Sequence, residues 1–165
     1  MKLSTEAARQ HIDYNTWATN RLLDAAAALT PEQLQHDFGT ADRSIFGTFQ
    51  HILRSEHAWV NRLEGKAQGS PLPAAETIAQ LRDIWTGVHA HWIEFVVGLT
   101  QADLDGGISY HDMKGNPWTN TRWEILLHVV NHSTHHRGQV SGFLRASGVT
   151  PPTVDYIAFV RQKKS

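Results

Sequence analysis

The stretch His128-Val129-Val130-Asn131-His132-Ser133-Thr134-His135-His136-Arg137-Gly138-Gln139 decides how this chain is read. It lies inside a helical segment opened by the capping-box pattern Thr121-Arg122-Trp123-Glu124, running to Ala146 and closed by Gly148. At about 100° per residue, Ile125, Val129, His132, His136, Val140 and Phe143 share one face. Four of those residues are apolar, so His132 and His136 stand in the middle of a core stripe. Two imidazoles buried there are costly unless their nitrogens find partners. Residues four apart stack one above the other on a helix, which lets both rings converge on a single cation. The plainer reading, two core histidines bonded to neighbouring helices, is equally compatible with the spacing. His128 lies off the stripe and reads as a support for the site rather than a ligand, and His135 points to the surface. Ser133 stands where the HExxH pattern of zinc proteases carries its glutamate, so that motif is absent.

Outward from this segment the pattern stays helical. Ser4 to Leu29 carries Ile12, Trp17, Leu22, Leu23 and the run Ala25–Ala28. Thr30-Pro31-Glu32-Gln33 is a stop and a capped restart. Ile45, Phe49, Ile52, Trp59, Val60 and Leu63 form a stripe over 44–63, closed by Gly65. Gly69-Ser70-Pro71-Leu72-Pro73 is a connector, too short to separate domains. A third helix spans 76–99 with Ile78, Leu81, Trp85, Val88, Trp92, Phe95 and Leu99 at alternating steps of three and four. The helical period breaks from Gly106 to Asn120, where Ile108, Tyr110 and Trp118 around Lys114-Gly115-Asn116-Pro117 make a short hairpin or an ordered loop. Pro151-Pro152 stops the last long helix, and Val154 to Val160 closes the chain. The expectation is an all-α protein, one domain over 1–165, built as an antiparallel four-helix bundle with a short insertion before the last long helix.

Composition narrows the chemistry. The chain has 165 residues with 15 Lys+Arg against 16 Asp+Glu, so it lacks the basic balance of a nucleic-acid binder. The basic residues Arg161, Lys163 and Lys164 read as a solvated tail. No apolar run approaches a membrane span and Met1 to Gln10 has no signal-peptide core, so the expectation is a cytoplasmic protein with no membrane partner. Cysteine is absent, which removes disulfides, a thiolate nucleophile and sulfur-ligated zinc. Eleven histidines and six tryptophans are many for this length.

A third ligand has to come from another helix, and spacing alone leaves His51, His57, His89, His91 and the acidic residues open. His89 lies beside the Trp85 and Trp92 stripe. His51 lies on a flank of small residues, with Ser44, Gly47, Ser55 and Ala58, where a neighbouring helix can come close. Glu56 falls inside an apolar stripe and needs a partner; Arg137 across the bundle is the candidate, in a buried ion pair fixing helix register. Trp85 and Trp92 read first as core and second as a pocket wall. Tyr14, Asn15 and Trp17 read as packing and capping at the bundle end.

Three segments, Tyr14-Asn15-Thr16-Trp17-Ala18-Thr19-Asn20-Arg21-Leu22-Leu23, Thr48-Phe49-Gln50-His51-Ile52-Leu53 and His128 to Gln139, resemble in order and spacing the DinB-like (YfiT-like) family over nearly the whole chain. The resemblance implies a four-helix bundle, usually a homodimer, holding a divalent metal through three histidines, here His51, His132 and His136. Glu56, Trp85, His89, Trp92, His128, Arg137 and Gln139 are then the candidates for supporting or pocket positions. Characterised relatives include S-transferases that use a low-molecular-weight thiol such as bacillithiol, and a mycothiol-dependent maleylpyruvate isomerase.

Three neutral imidazoles leave open positions on an ion, and all-nitrogen ligation suits zinc or nickel. An ion of that kind stabilises a cofactor thiol as its thiolate, which suits a chain without cysteine. The leading expectation is therefore a metal-dependent transferase in which a low-molecular-weight thiol attacks an electrophilic small molecule. The alternatives are a hydrolase that uses metal-activated water, with Glu56 as the acceptor to examine, and a non-catalytic, metal-stabilised small-molecule binder.

Overall fold

The computed structural model describes residues 2–66, 71–112 and 114–162. Gly69 and Ser70 of the connector, and Lys163 and Lys164 of the tail, lie outside them. Four long helices carry the fold: α1 (Thr5–Ala26), α3 (Ile45–Leu63), α4 (Ile78–Gly98) and α6 (Arg122–Ala146). Short helices α2 (Pro31–Gln35), α5 (Gln101–Asp105) and α7 (Tyr156–Gln162) sit between and after them. The break after Gly106 is a hairpin, β1 (Gly107–His111) paired antiparallel with β2 (Pro117–Thr121), with Tyr110 opposite Trp118. Of the two readings of that segment the hairpin is correct; α5, too short for a periodic stripe, was not anticipated.

The helix starts are set by side chains that satisfy free N–H groups. Ser4, Ser44 and Thr77 each accept a hydrogen bond from a first-turn amide. Thr30 with Gln33 and Thr77 with Gln80 form reciprocal capping boxes. At the start of α6 the Glu124 carboxylate accepts from the Thr121 N–H at 2.8 Å. Gly148, with φ +84°, supplies the left-handed residue that ends α6.

Each long helix packs on two others, so that α1 and α3 face α4 and α6 around a square. The antiparallel pairs are α1 with α4, where Asp24 meets Arg82, and α3 with α6, where His51 meets His136 and Trp59 meets His128. Phe49 touches Trp85 and Glu56 touches Trp92, a step of seven along both helices, so α3 and α4 run in the same direction. The long connection between them is the crossover that permits this. Inside lie Ile12, Leu22, Leu23, Phe49, Ile52, Val60, Trp85, Ile125, Val129 and Val140, all 3% exposed or less. Each buried side chain of this size contributes about 1.5–3 kcal/mol of transfer free energy. No helix among the described residues is long and apolar enough to cross a membrane.

The entry to α3 is unusually close-packed. Gly47, in its first turn, lies against the carbonyl of Asp42, where a Cβ would overlap that oxygen. Arg43, between Asp42 and the cap, has φ +64°, a strained value for a residue with a side chain. Its guanidinium is tied to Asp37, and its carbonyl accepts from the Phe38 N–H. Gly47→Ala is expected to destabilise the protein by about 1–3 kcal/mol through overpacking. Thermal unfolding then shows a melting temperature several degrees lower; an unchanged one contradicts the close approach.

Candidate metal centre

Antiparallel packing of α3 on α6 brings three imidazoles together. His51 Nε2 and His132 Nε2 are 3.0 Å apart. The His136 ring centroid is 4.4 Å from that of His51 and 4.5 Å from that of His132. One nitrogen from each ring lies within 4.8 Å of the other two, and the three side chains are half-buried. Nitrogens bound to one tetrahedral zinc at about 2.0–2.1 Å stand about 3.3 Å apart, so the His51–His132 separation suits a shared ion. Among the described residues this is the only group of three or more such side chains that can hold a metal ion.

Orientation of the rings comes from the neighbouring polar groups. The two oxygens of Asp42 lie 3.4 Å from Nδ1 of His51 and Nδ1 of His136, so one carboxylate spans two of the three rings. Gln139 Oε1 is 2.8 Å from His136 Nδ1. With Nδ1 directed outward in this way, Nε2 of both rings is left facing the centre, the arrangement by which metal-binding histidines are usually oriented. His132 Nδ1 is buried with no hydrogen-bond partner among the described residues. Asp42 was not foreseen: it lies in a loop, where no periodicity marks a position as inward-facing.

The cluster disfavours protons. Burial, then the neighbouring His136, His51 and His128 rings, push His132 down to about 4. Burial also lowers His51, against the opposing pull of Asp42 and with help from His136 and Arg54. Neutral imidazoles are the form that binds a cation, so His51 and His132 are held in their binding state at neutral pH.

Of the other candidates, His57, His89 and His91 are not part of the cluster. His91 meets Glu64 at 2.9 Å near the surface, and His57 lines a separate cavity between α3 and α4. His128 lies beside the centre: its ring is 5.9 Å from His132, edge-on to Trp59 at 5.2 Å, and burial lowers its pKa.

Glu56 is fully buried below the centre, but its partner is not Arg137. Its Oε1 accepts from Asn15 Nδ2 at 2.6 Å and from Ser133 Oγ at 2.8 Å; its Oε2 accepts from Trp85 Nε1 at 2.8 Å and lies 3.4 Å from His89 Nε2. Arg137 donates instead to Asn15 Oδ1, Thr19 and Thr134, so Asn15 stands between the two charges. Direct pairing fails because the Arg137 guanidinium turns toward α1, over the Tyr14 ring at 5.4 Å. Trp85 and Trp92 are likewise core and not pocket wall, and Trp92 Nε1 donates to the Glu56 carbonyl.

Burial alone would raise the Glu56 carboxyl, yet His89, Trp85 and Asn15 outweigh it and lower it to about 2. Its contribution is thus fully present above the ordinary carboxylate range and is lost as pH falls from about 4.5 towards 2. Both oxygens accept from core side chains and the group is fully buried, which keeps it away from a ligand in the cavity.

The cavity next to the centre has a volume of about 710 Å³, and His51, His132 and His128 are in its wall with Trp59 and the hairpin residues Tyr110 and Trp118. A half-buried cluster of ligating groups opening into such a cavity is the arrangement of a ligand site.

The DinB family profile matches residues 1–164, and the chain belongs to that family. It is 25% identical over 162 residues to Protein DinB of Bacillus subtilis (strain 168), covering 93% of each chain. It is 23% identical over 150 residues to the YizA protein of the same organism, covering 88% of this chain and 91% of the relative. Among solved structures, a DinB-like protein from Bacillus cereus ATCC 10987 superposes with a TM-score of 0.75 at 25% identity, covering 94% of this chain and all of the other. A DinB family member from Shewanella denitrificans gives 0.60 at 17% identity, covering 93% and 89%, and supports the fold alone.

Glu56→Ala leaves the buried donors of Asn15, Trp85 and Ser133 without an acceptor. It is expected to cost about 3–5 kcal/mol in urea unfolding at pH 7. A loss below about 1 kcal/mol contradicts the role given to Glu56.

Proposed function

We propose that this DinB family protein is a divalent-metal-dependent transferase, using zinc or nickel, that joins a low-molecular-weight thiol to an electrophilic small molecule. The observation that carries the proposal is the convergence of His51, His132 and His136 beside a cavity that the first two help to wall and that is large enough for a small organic molecule. These three side chains would hold the ion, with Asp42 and Gln139 orienting two of the rings. A divalent ion supplies positive charge that keeps a thiol ionised near neutral pH.

The rest of the site would serve the organic reactants. Trp59, Tyr110 and Trp118 give the cavity an apolar wall that excludes water from the acceptor. His128 lies in the same wall, and burial keeps its ring neutral, so a ring nitrogen can accept a hydrogen bond from the entering thiol, whose proton passes to solvent. The sulfur then bonds to the acceptor carbon and displaces its leaving group. A hydrolase that uses Glu56 as its base is less well supported, because that carboxylate is fully buried and accepts from Asn15, Trp85 and Ser133 of the core.

Metal analysis of wild type beside His132→Ala tests the site, followed by consumption of monochlorobimane with and without added cysteine. The proposal expects about one divalent ion per wild-type chain, little in the variant, and turnover only with both metal and thiol. Equal metal in the two proteins overturns the site. Thiol-independent ester hydrolysis, or metal binding with no turnover, overturns the transferase in favour of a hydrolase or a binder.

A further inference from the structure

Two arginines face the cavity beside the three-histidine centre, and neither is paired with a carboxylate among the described residues. His51, Arg54, Ser55, Ala58, Trp59 and Arg62 lie on the same side of α3 and line the cavity one after another. At 1.5 Å of rise per residue, Arg54 is about 4–5 Å along the helix from His51, and Arg62 about 16 Å. The Arg62 guanidinium lies 4.4 Å from the centre of the Trp59 ring and 5.3 Å from that of Tyr110. Stacking fixes the plane of that group while leaving its edge N–H donors free for a planar, bidentate acceptor. Arg54 is exposed and makes no hydrogen bond or ion pair among the described residues.

The described lining contains one carboxylate, Asp112, and it is already committed. It accepts from the amides of Lys114 and Asn116, the side chain of Asn116 and the Trp118 indole. With the hydrogen bonds of Asn116 as the main cause, its pKa is lowered to about 2. The same bonds hold the hairpin tip and the Trp118 ring over the cavity. The result is a flat-walled apolar cavity with two unneutralised guanidinium groups.

We infer that this cavity binds a flat organic carboxylate, its acid group held by Arg62, its apolar body lying against Trp59, Tyr110 and Trp118, and the charge of Arg54 adding a longer-range attraction for the anion. This deepens the preceding reading by naming the ligand class of the same cavity, and rests on it only for which end of the ligand reacts. A molecule gripped at Arg62 extends along α3 toward His51. Hydrogen bonds from charged donors to a carboxylate discriminate an acid from its neutral amide by about tenfold or more.

The test is calorimetric titration with 2-naphthoate and 2-naphthamide of chelator-treated wild type, Arg62→Gln, Arg54→Gln, the double variant and His132→Ala. The wild type is expected to bind naphthoate at least about tenfold more tightly than the amide. Arg62→Gln should weaken naphthoate about tenfold with the amide unchanged, and His132→Ala should keep the preference for the acid over the amide. Unchanged amide affinity shows that each variant keeps the cavity. The inference is overturned if neither probe binds, if acid and amide bind equally, or if the acid preference survives in the double variant. An acid preference seen only with zinc added and lost in His132→Ala also overturns it, while leaving the metal site standing. Arginine-dependent binding in a protein that takes up no metal upholds it and sinks the preceding proposal instead.

Discussion

A carboxylate sealed inside the bundle sets the terms for everything around it. Glu56 belongs to α3 and accepts hydrogen bonds from Asn15 of α1, Trp85 of α4 and Ser133 of α6, so one side chain joins all four long helices. Breaking such a network leaves buried donors and acceptors unmet, which penalises every sliding or rotated packing of these helices. The Glu56–Ser133 bond has a particular consequence: it fixes the antiparallel register of α3 against α6. One turn toward the start of α3, the same register sets His51 against His132 and His136. Arg137 belongs to the network at one remove, through Asn15.

Above this network the centre is assembled from parts of different rigidity. His132 and His136 are fixed relative to each other by one helix turn, and His51 by the register just described. Asp42 is held differently, by a loop in which Arg43 adopts a left-handed backbone conformation and Gly47 admits the Asp42 carbonyl. Strain in such a place persists only where the surroundings over-determine it, and here it sits beside the carboxylate that spans His51 and His136. The low proton affinity of His132 belongs to the same picture, since crowded, half-buried rings repel added positive charge unless a cation with several ligands replaces the protons.

The helices were legible because their apolar residues recur with the helical period and their caps are explicit. Thr30-Pro31-Glu32-Gln33 and Thr121-Arg122-Trp123-Glu124 are examples, and the structure places helix starts directly after Thr30 and Thr121. His132 and His136 stood out because an imidazole on an apolar stripe needs an explanation. His51 did not stand out by period; its side chain lies on a flank, and the family resemblance named it. Pairings across the bundle were least legible. Arg137 and Glu56 were matched by charge, but an asparagine that looked like end-packing lies between them, and only the three-dimensional course of the Arg137 side chain reveals that. Trp85 and Trp92 show the same limit: the stripe said aromatic, while their indole N–H groups turn inward to Glu56. Asp42 and the arginine-lined cavity depend on a loop and a hairpin, where no repeat signals which way a residue faces.

X-ray absorption at the zinc edge of the reconstituted protein addresses the central claim most directly. The account predicts three nitrogen scatterers at about 2.0–2.1 Å with the outer-shell pattern of imidazole rings, and light-atom scattering alone in the remaining position. A first shell dominated by oxygen, with one imidazole or none, would contradict it.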